Sequence, residues 1–243
     1  MAWFPLPDHM AIYSHGPILP MMSSELSAPP PAEWFDRWWN PQALLESALA
    51  QIHAIPGSVP GNLLFNKPAL KPLREAYAAA KFATIRPQAR HCEVRMVDPG
   101  SRFPDFEIRF DAASEQFGQT EADREGRRRA DEYGEAHGRV ASGAPAGLKH
   151  YDPDEEMAAA PQAIAVALEC KAKKHYQPRP HLLVYVNFPT DNGRPPLKDL
   201  QAVQLVEPYR ETFLSIWLLW GDNAVRCWPG PPANIPFRNA TTG

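Results

Sequence analysis

Residues 181–188, HLLVYVNF, are the part of the sequence that most constrains the fold. Apolar side chains occupy nearly every position of this run, whereas a strand with one face in water alternates apolar and polar side chains. A strand that is apolar on both faces needs cover on both sides, which is typical of a central strand in a parallel or mixed sheet. We therefore predict an α/β fold with Val184 in a central strand, flanked by the strand of Asp105 or by its neighbour.

The rest of the body divides into alternating strands and helical patterns. Residues 162–175 alternate partly like a strand, but their alanines and lysine-rich end favour a helix that starts near Pro161. The order of elements predicts a mixed central sheet flanked by helices. The predicted strands are 92–97, 103–110, 115–122 and 181–188, the predicted helices are 41–52, 68–82, 162–175 and 197–213, and residues 214–228 form a terminal hairpin.

Proline defines the predicted domain limits. The chain holds 28 prolines in 243 residues, about twice the average share, and they cluster at both ends. We assign residues 1–40 to an irregular arm rich in proline and aromatic residues, 41–228 to a single α/β domain, and 229–243 to a proline-rich tail. A charged insertion, 123–153, interrupts the domain. The aromatic cluster Trp34 to Trp39 has helical spacing, which predicts a packing role.

Composition excludes several classes of protein. No apolar run reaches the roughly 18 to 20 residues of a membrane span, and the first residues lack the basic start of a signal peptide. Three isolated cysteines and scattered histidines predict a reducing cytoplasm and no zinc site. The sequence contains no nucleotide-binding fingerprint or nucleophile elbow. A net charge of −3 gives no global attraction to nucleic acid, so such a role must depend on a local patch.

One motif carries a family resemblance. Pro104-Asp105 opens a predicted strand, and Gln119-Thr120-Glu121 lies on the next one, fourteen residues after Asp105 (119 minus 105). With the predicted order αβββαβ over about 68–188, this resembles the core of the PD-(D/E)xK restriction-endonuclease-like superfamily. In that family the Asp and an acidic triplet residue hold a divalent metal that activates water against a phosphodiester.

The resemblance implies a nuclease that depends on Mg²⁺ or Mn²⁺. Asp105 and Glu121 are the implied metal ligands, and Gln119 is the remaining triplet residue of the catalytic set. A Glu from the preceding helix often joins the site in this family, which adds Glu75. Residues 121–133 also resemble a segment of bacterial proteins, a likeness that brings no activity with it.

Two placements of the triplet remain open. In residues 119–121, Gln119 replaces the acid and Glu121 replaces the lysine of the family pattern. Glu169-Cys170-Lys171 is a literal ExK, but it lies sixty-four residues after Asp105 (169 minus 105) and requires a strand where we predict a helix. Topology favours the first placement and chemistry the second, so Glu169 and Lys171 are an alternative catalytic pair.

Function is predicted as one of two classes. The first is a metal-dependent nuclease, or a degenerate relative that still binds DNA or RNA. Its phosphate-facing patch would comprise Arg127, Arg128, Arg129, Lys171 and Lys174, although charge runs usually mark solvated faces. The second is a non-catalytic protein that binds protein partners through its proline-rich and aromatic arms. Neither class involves a membrane.

Overall fold

The computed structural model describes residues 30–55, 68–86, 92–101, 103–111, 113–124, 135, 138–139, 142–143, 153–188, 199–228 and 233–236. The helices in chain order are α1 (Glu33–Asp36), α2 (Pro41–His53), α3 (Lys71–Ile85), α4 (Pro153–Ala172) and α5 (Asp199–Val206). Short 3₁₀ turns, Pro68–Leu70 and Glu207–Tyr209, precede α3 and follow α5. The strands are β1 (Cys92–Met96), β2 (Phe106–Phe110), β3 (Ala113–Ala122), β4 (His181–Val186), β5 (Ser215–Trp220), β6 (Asn223–Trp228) and β7 (Ala233–Pro236).

The strands form one mixed sheet of seven strands in the order β1-β2-β3-β4-β5-β6-β7. Strands β1 to β3 are an antiparallel meander, β3, β4 and β5 are parallel, and β6 and β7 return antiparallel. Parallel neighbours need crossover connections, which contain α4 between β3 and β4 and α5 between β4 and β5. The predicted α/β class, with a mixed sheet flanked by helices, is confirmed.

Strand β4 is the middle strand of the sheet. Val184 pairs with Thr120 of β3 and with Leu218 of β5, and its side chain is fully buried. Leu183 and Tyr185 belong to the core beneath α2 and α3, whereas Val184 belongs to the core beneath α4 and α5. The prediction of a central strand that is apolar on both faces is confirmed. One neighbour of β4 is β3, and β3 pairs in turn with β2, the strand that follows Asp105.

The end of the predicted arm joins the first of these cores. Trp34 is fully buried, and its indole N–H donates a hydrogen bond to Ser47 Oγ of α2 at 3.1 Å. The backbone of Trp39 pairs with that of Val94, which extends the edge of the sheet beyond β1. Residues 30–40 therefore pack against the domain.

Several element limits differ from the sequence-based expectation. The strand predicted over 103–110 begins only at Phe106, and the helix predicted over 197–213 ends at Val206, before the 3₁₀ turn that contains Pro208. Helix α4 begins at Pro153, eight residues before Pro161, so Pro161 lies inside the helix (161 minus 153). An interior proline disfavours a helix, but Ala160, Ile164 and Leu168 all bury on the sheet face, and this packing holds the helix on both sides of Pro161. The predicted helix is confirmed as far as Ala172 and gives way to a turn over residues 173–174.

Part of the predicted tail also belongs to the sheet. Residues Ala233–Pro236 pair with β6 and form β7, because the outer edge of β6 offers unpaired backbone groups to an extended chain. Among the helices in the described ranges, none has the length and apolarity needed to cross a membrane.

Candidate active site

The site lies where β2 and β3 part. The two strands pair from Phe110 with Ala113 to Phe106 with Phe117, so the later residues of β3 have no β2 partner on that edge. The chain of β2 is still held there, because the backbone N–H of Asp105 donates to Phe117 O at 2.9 Å. The result is a gap beside the second half of β3.

Asp105 occupies the beginning of this gap. Its Oδ2 accepts a hydrogen bond from the backbone N–H of Gln119 at 2.5 Å. The side chain thus takes the place of the carbonyl that a continued β2 would have offered to β3. This bond fixes the carboxylate at the sheet edge, where 23% of the side chain remains exposed.

Lys171 reaches the same carboxylate from α4. Its Nζ lies 3.1 Å from Asp105 Oδ2, and its side chain is 11% exposed. Ile164, Leu168 and Lys171 follow one another at helical spacing on the face of α4 that packs on the sheet. The lysine therefore points toward the sheet at the point where the apolar stripe ends. Beyond the helix, the rings of Tyr176 and Phe103 pack with centroids 4.9 Å apart and join this end of α4 to the start of β2.

Glu75 enters the site from α3. Its side chain is 15% exposed and lies 2.8 Å from Lys71 Nζ, one helical turn earlier. Burial raises the pKa of Glu75 above its ordinary value, the ion pair with Lys71 opposes that shift, and the charge of Asp105 adds to it. Burial also disfavours the charged form of Lys71, but the hydrogen bond and charge of Glu75, together with the charge of Asp105, raise the pKa of Lys71.

These groups line one cavity of about 140 Å³. Three acids and three lysines face it, and the loop between β1 and β2 closes one side. The full lining is Lys71, Glu75, Val97, Asp98, Pro99, Ser101, Pro104, Asp105, Lys171, Lys174 and Tyr176.

Four of the sequence-predicted site residues meet in this cavity: Asp105, Glu75, Lys171 and Lys174. Glu121, Gln119 and Glu169 do not line it. Glu121, the expected second metal ligand, instead faces Arg74, with 3.4 Å between its Oε1 and the arginine Nε.

Gln119 contributes its backbone N–H to Asp105, while its side chain is 5% exposed. Among the described residues its Oε1 has no hydrogen-bond partner. Glu169 lies on the exposed side of α4 and pairs with Lys173 at 2.7 Å. Arg127, Arg128 and Arg129 lie outside the described residues.

Neither proposed triplet enters the cavity as a unit. Lys171 reaches Asp105 without Glu169, because residues two apart in a helix point to nearly opposite sides. The second acid of the cavity is Glu75, from the helix that precedes the sheet. Sequence reasoning missed Lys71, although its spacing of four residues from Glu75 is the usual signal of a helical ion pair.

The cavity offers a divalent metal the carboxylates of Glu75 and Asp105. Within the described part of the chain, no three His, Cys, Asp or Glu side chains are grouped to hold a metal ion. However, Mg²⁺ in phosphoryl-transfer sites is commonly held by one or two carboxylates, with water and substrate phosphate completing its shell. Glu75 and Asp105 fit that requirement for an ion shared with a substrate, and they do not make a closed cage.

Comparisons with protein-family models, with curated proteins and with solved structures found no match to this chain. The fold and the cavity define a mixed α/β protein with an acid–lysine pocket at the point where β2 and β3 separate. A functional assignment therefore depends on the chemistry of that pocket.

Proposed function

We propose that the cavity is the active site of a metal-dependent phosphodiesterase that cleaves nucleic acid, built on a restriction-endonuclease-like core over residues 68–188. The observation that carries the proposal is the meeting of Asp105, Glu75 and Lys171 in one cavity. Two acids and a lysine are the side-chain types that the family resemblance implies. Here they come from the start of β2, from α3 and from α4.

The arrangement of elements supports this proposal. Helix α3, strands β1 to β3, helix α4 and strand β4 follow one another in the order αβββαβ. Asp105 precedes the second of these strands, the position that the resemblance gives to the Pro-Asp motif. The gap between β2 and β3 gives a substrate access to the carboxylate.

Each side chain has a distinct role in the proposed reaction. Glu75 and Asp105 would hold the metal, which when bound supplies a Lewis acid and an activated water. The ammonium group of Lys171, beside Asp105, would contact a phosphate oxygen and stabilise the negative charge that develops during cleavage. Lys71 and Lys174 would bind phosphate at the rim of the cavity. The Gln119 N–H keeps the Asp105 carboxylate in one orientation, so that it is ready before the substrate arrives.

A nuclease assay with Mg²⁺ or Mn²⁺, on single- and double-stranded DNA and RNA, tests the proposal. Asp105→Asn keeps an oxygen for the Gln119 N–H but loses the charge, so cleavage should fall by about 100-fold or more. Glu169→Gln is the matched control, because Glu169 is exposed and lies away from the cavity; it should cleave like the wild type. A folded wild-type chain that neither binds metal nor cleaves any substrate contradicts the proposal.

The two ion pairs of the cavity favour a second candidate function. Each acid proposed to hold the metal, Glu75 or Asp105, already has a lysine partner. The second candidate is a degenerate relative that binds nucleic acid without cutting it. In that case binding should be independent of divalent metal and should weaken in Lys171→Met, while every cleavage assay remains negative.

A further inference from the structure

We infer that the two internal ion pairs of the cavity make the binding of a divalent cation and the binding of a phosphate group mutually reinforcing. The inference rests on the proposed function, since it takes the cavity as the place where both ions bind. It concerns what Lys171 and Lys71 do before the substrate arrives.

Two of the three acids that face the cavity, Glu75 and Asp105, each form an ion pair with a lysine. Lys71 Nζ lies 2.8 Å from Glu75 Oε1, and Lys171 Nζ lies 3.1 Å from Asp105 Oδ2. Three of these four side chains are less than a quarter exposed, at 15% for Glu75, 23% for Asp105 and 11% for Lys171. Charges with so little contact with water interact more strongly than charges on an open surface.

A single ion entering the cavity has to break these pairs. A cation that binds Glu75 and Asp105 replaces two ammonium groups, and that of Lys171, on a side chain that is 11% exposed, then remains in a partly closed space without its counter-charge. A phosphate that binds Lys171 and Lys71 leaves the two carboxylates in the same condition. Each ion alone therefore meets the cost of uncompensated charge.

Both ions together remove that cost. The carboxylates turn to the cation and the ammonium groups turn to the phosphate, so all four side chains have a partner again. Because coupling between two sites is reciprocal, phosphate must raise the affinity for the cation by the same factor as the cation raises the affinity for phosphate. In the absence of nucleic acid, Lys171 thus competes with the metal for Asp105, and in its presence Lys171 holds the phosphate.

Isothermal titration calorimetry on the full chain tests this inference. Mg²⁺ is titrated with and without inorganic phosphate, and phosphate with and without Mg²⁺, with corrections from protein-free blanks for magnesium phosphate formed in solution. We expect each ion to strengthen the binding of the other by about tenfold or more.

Variants distinguish the lysine mechanism from simple contact between metal and phosphate. Lys171→Met removes the competitor, so Mg²⁺ alone should bind several-fold more tightly, and the coupling should fall below about threefold. Lys71→Met, at a side chain that is 61% exposed, should change both values in the same direction and keeps the test valid if Lys171→Met does not fold. Lys173→Met is the control, because Lys173 pairs with Glu169 on the exposed side of α4, and it should leave both values unchanged.

The outcomes are separable. Independent binding of the two ions in the wild type overturns the inference, as does full coupling in Lys171→Met or weaker Mg²⁺ binding in that variant. A chain that shows the coupling but cleaves no nucleic acid retains the inference and loses the proposed catalysis. A chain that cleaves with uncoupled binding retains the proposed function and loses the inference, and a chain that binds neither ion contradicts both.

Discussion

Asp105 has a structural task besides its proposed chemical one. Its carboxylate accepts from the Gln119 N–H and neutralises Lys171, so it completes the edge of β3 and the packing of α4 against that edge. An alanine at position 105 leaves that backbone donor and that ammonium group without these contacts, so the substitution affects folding as well as the proposed chemistry.

Stability measurements on two variants separate these tasks. Asp105→Ala should lower the free energy of unfolding by about 1 to 3 kcal/mol, the usual cost of polar groups left unsatisfied. Asp105→Asn should cost less, since its amide oxygen replaces the acceptor for Gln119. Urea denaturation measures both, and an alanine variant as stable as the asparagine variant would show that the hydrogen bond to Gln119 contributes little.

A second polar group, His181 at the start of β4, gives a pH dependence to folding. His181 Nδ1 and Ser215 Oγ share a hydrogen bond of 2.7 Å, and the imidazole packs on Phe117. Burial lowers the pKa of His181; the charge of Glu115 on β3 opposes this shift, and the charge of Arg86, at the end of α3, adds to it. The folded chain therefore favours the neutral imidazole.

The sign of the pH effect follows from this preference. Below the unfolded pKa of about 6.5 the unfolded chain binds a proton at His181 more readily than the folded chain. The stability that depends on His181 is therefore complete above that pH and is lost as the pH falls toward the lowered folded pKa, by at most about 1.4 kcal/mol per pH unit. Denaturation of wild type and His181→Gln at pH 7.5 and 5.5 measures it: the wild type should lose more stability on acidification. Equal losses in the two proteins would contradict the assignment.

At the scale of elements, α4 determines whether the cavity forms. The helix packs on β3 and β4 through a stripe of small and apolar residues, and Lys171 continues that stripe to the sheet edge. Leu168 is fully buried in this interface, one turn before Lys171, whereas Val166 on the same helix is 44% exposed. The two residues make a matched pair for testing the role of the helix.

Truncation of these two side chains to alanine should have different effects on the free energy of unfolding. Leu168→Ala should lower the free energy of unfolding by about 2 to 5 kcal/mol, because it leaves a cavity against the central strand. Val166→Ala should change it by less than about 0.5 kcal/mol, as surface substitutions usually do. Chemical denaturation measures both, and similar losses would mean that α4 is not packed on the sheet as described.

The elements differ in how far the sequence determines them. The run 181–188 and the alternation of β1 to β3 are local patterns, so these strands and their approximate limits were predictable. The start of α4 was not, because Pro161 predicts a helix start at that position, and only packing on the sheet holds the helical residues that precede it. Strand β7 was not predictable either, since it depends on a free edge of β6 and not on its own short sequence.

The site was predictable to a smaller extent than the fold. Asp105 and Glu75 follow from the order of elements and the Pro-Asp motif, and the cavity contains both. The family motif places the lysine in one triplet with its acid, but here α4 brings Lys171 to Asp105 and turns Glu169 outward. Asp105, Glu75 and Lys171 meet in the cavity because of long-range packing. The spacing of residues along the chain carries no information about such packing.

At the scale of the whole molecule, the charge distribution limits how this chain can bind nucleic acid. Its net charge of −3 offers no general attraction, so affinity has to come from local cations. The cavity supplies Lys71, Lys171 and Lys174. The sequence supplies three more cations, Arg127, Arg128 and Arg129, in the charged insertion.

The salt dependence of binding counts the phosphates that these cations neutralise. On duplex DNA the slope of log K against log [salt] is about −0.9 for each neutralised phosphate. Cavity lysines and insertion arginines acting together predict a slope of about −5, whereas the lysines alone predict about −3. Replacing Arg127, Arg128 and Arg129 by serine should therefore weaken binding and flatten the slope by two to three, while the cleavage rate at saturating substrate stays the same. Binding isotherms across a salt series, with Lys173→Ser as the control, measure the change; an unaltered slope would remove the arginines from the nucleic-acid interface and leave the cavity lysines as its cations.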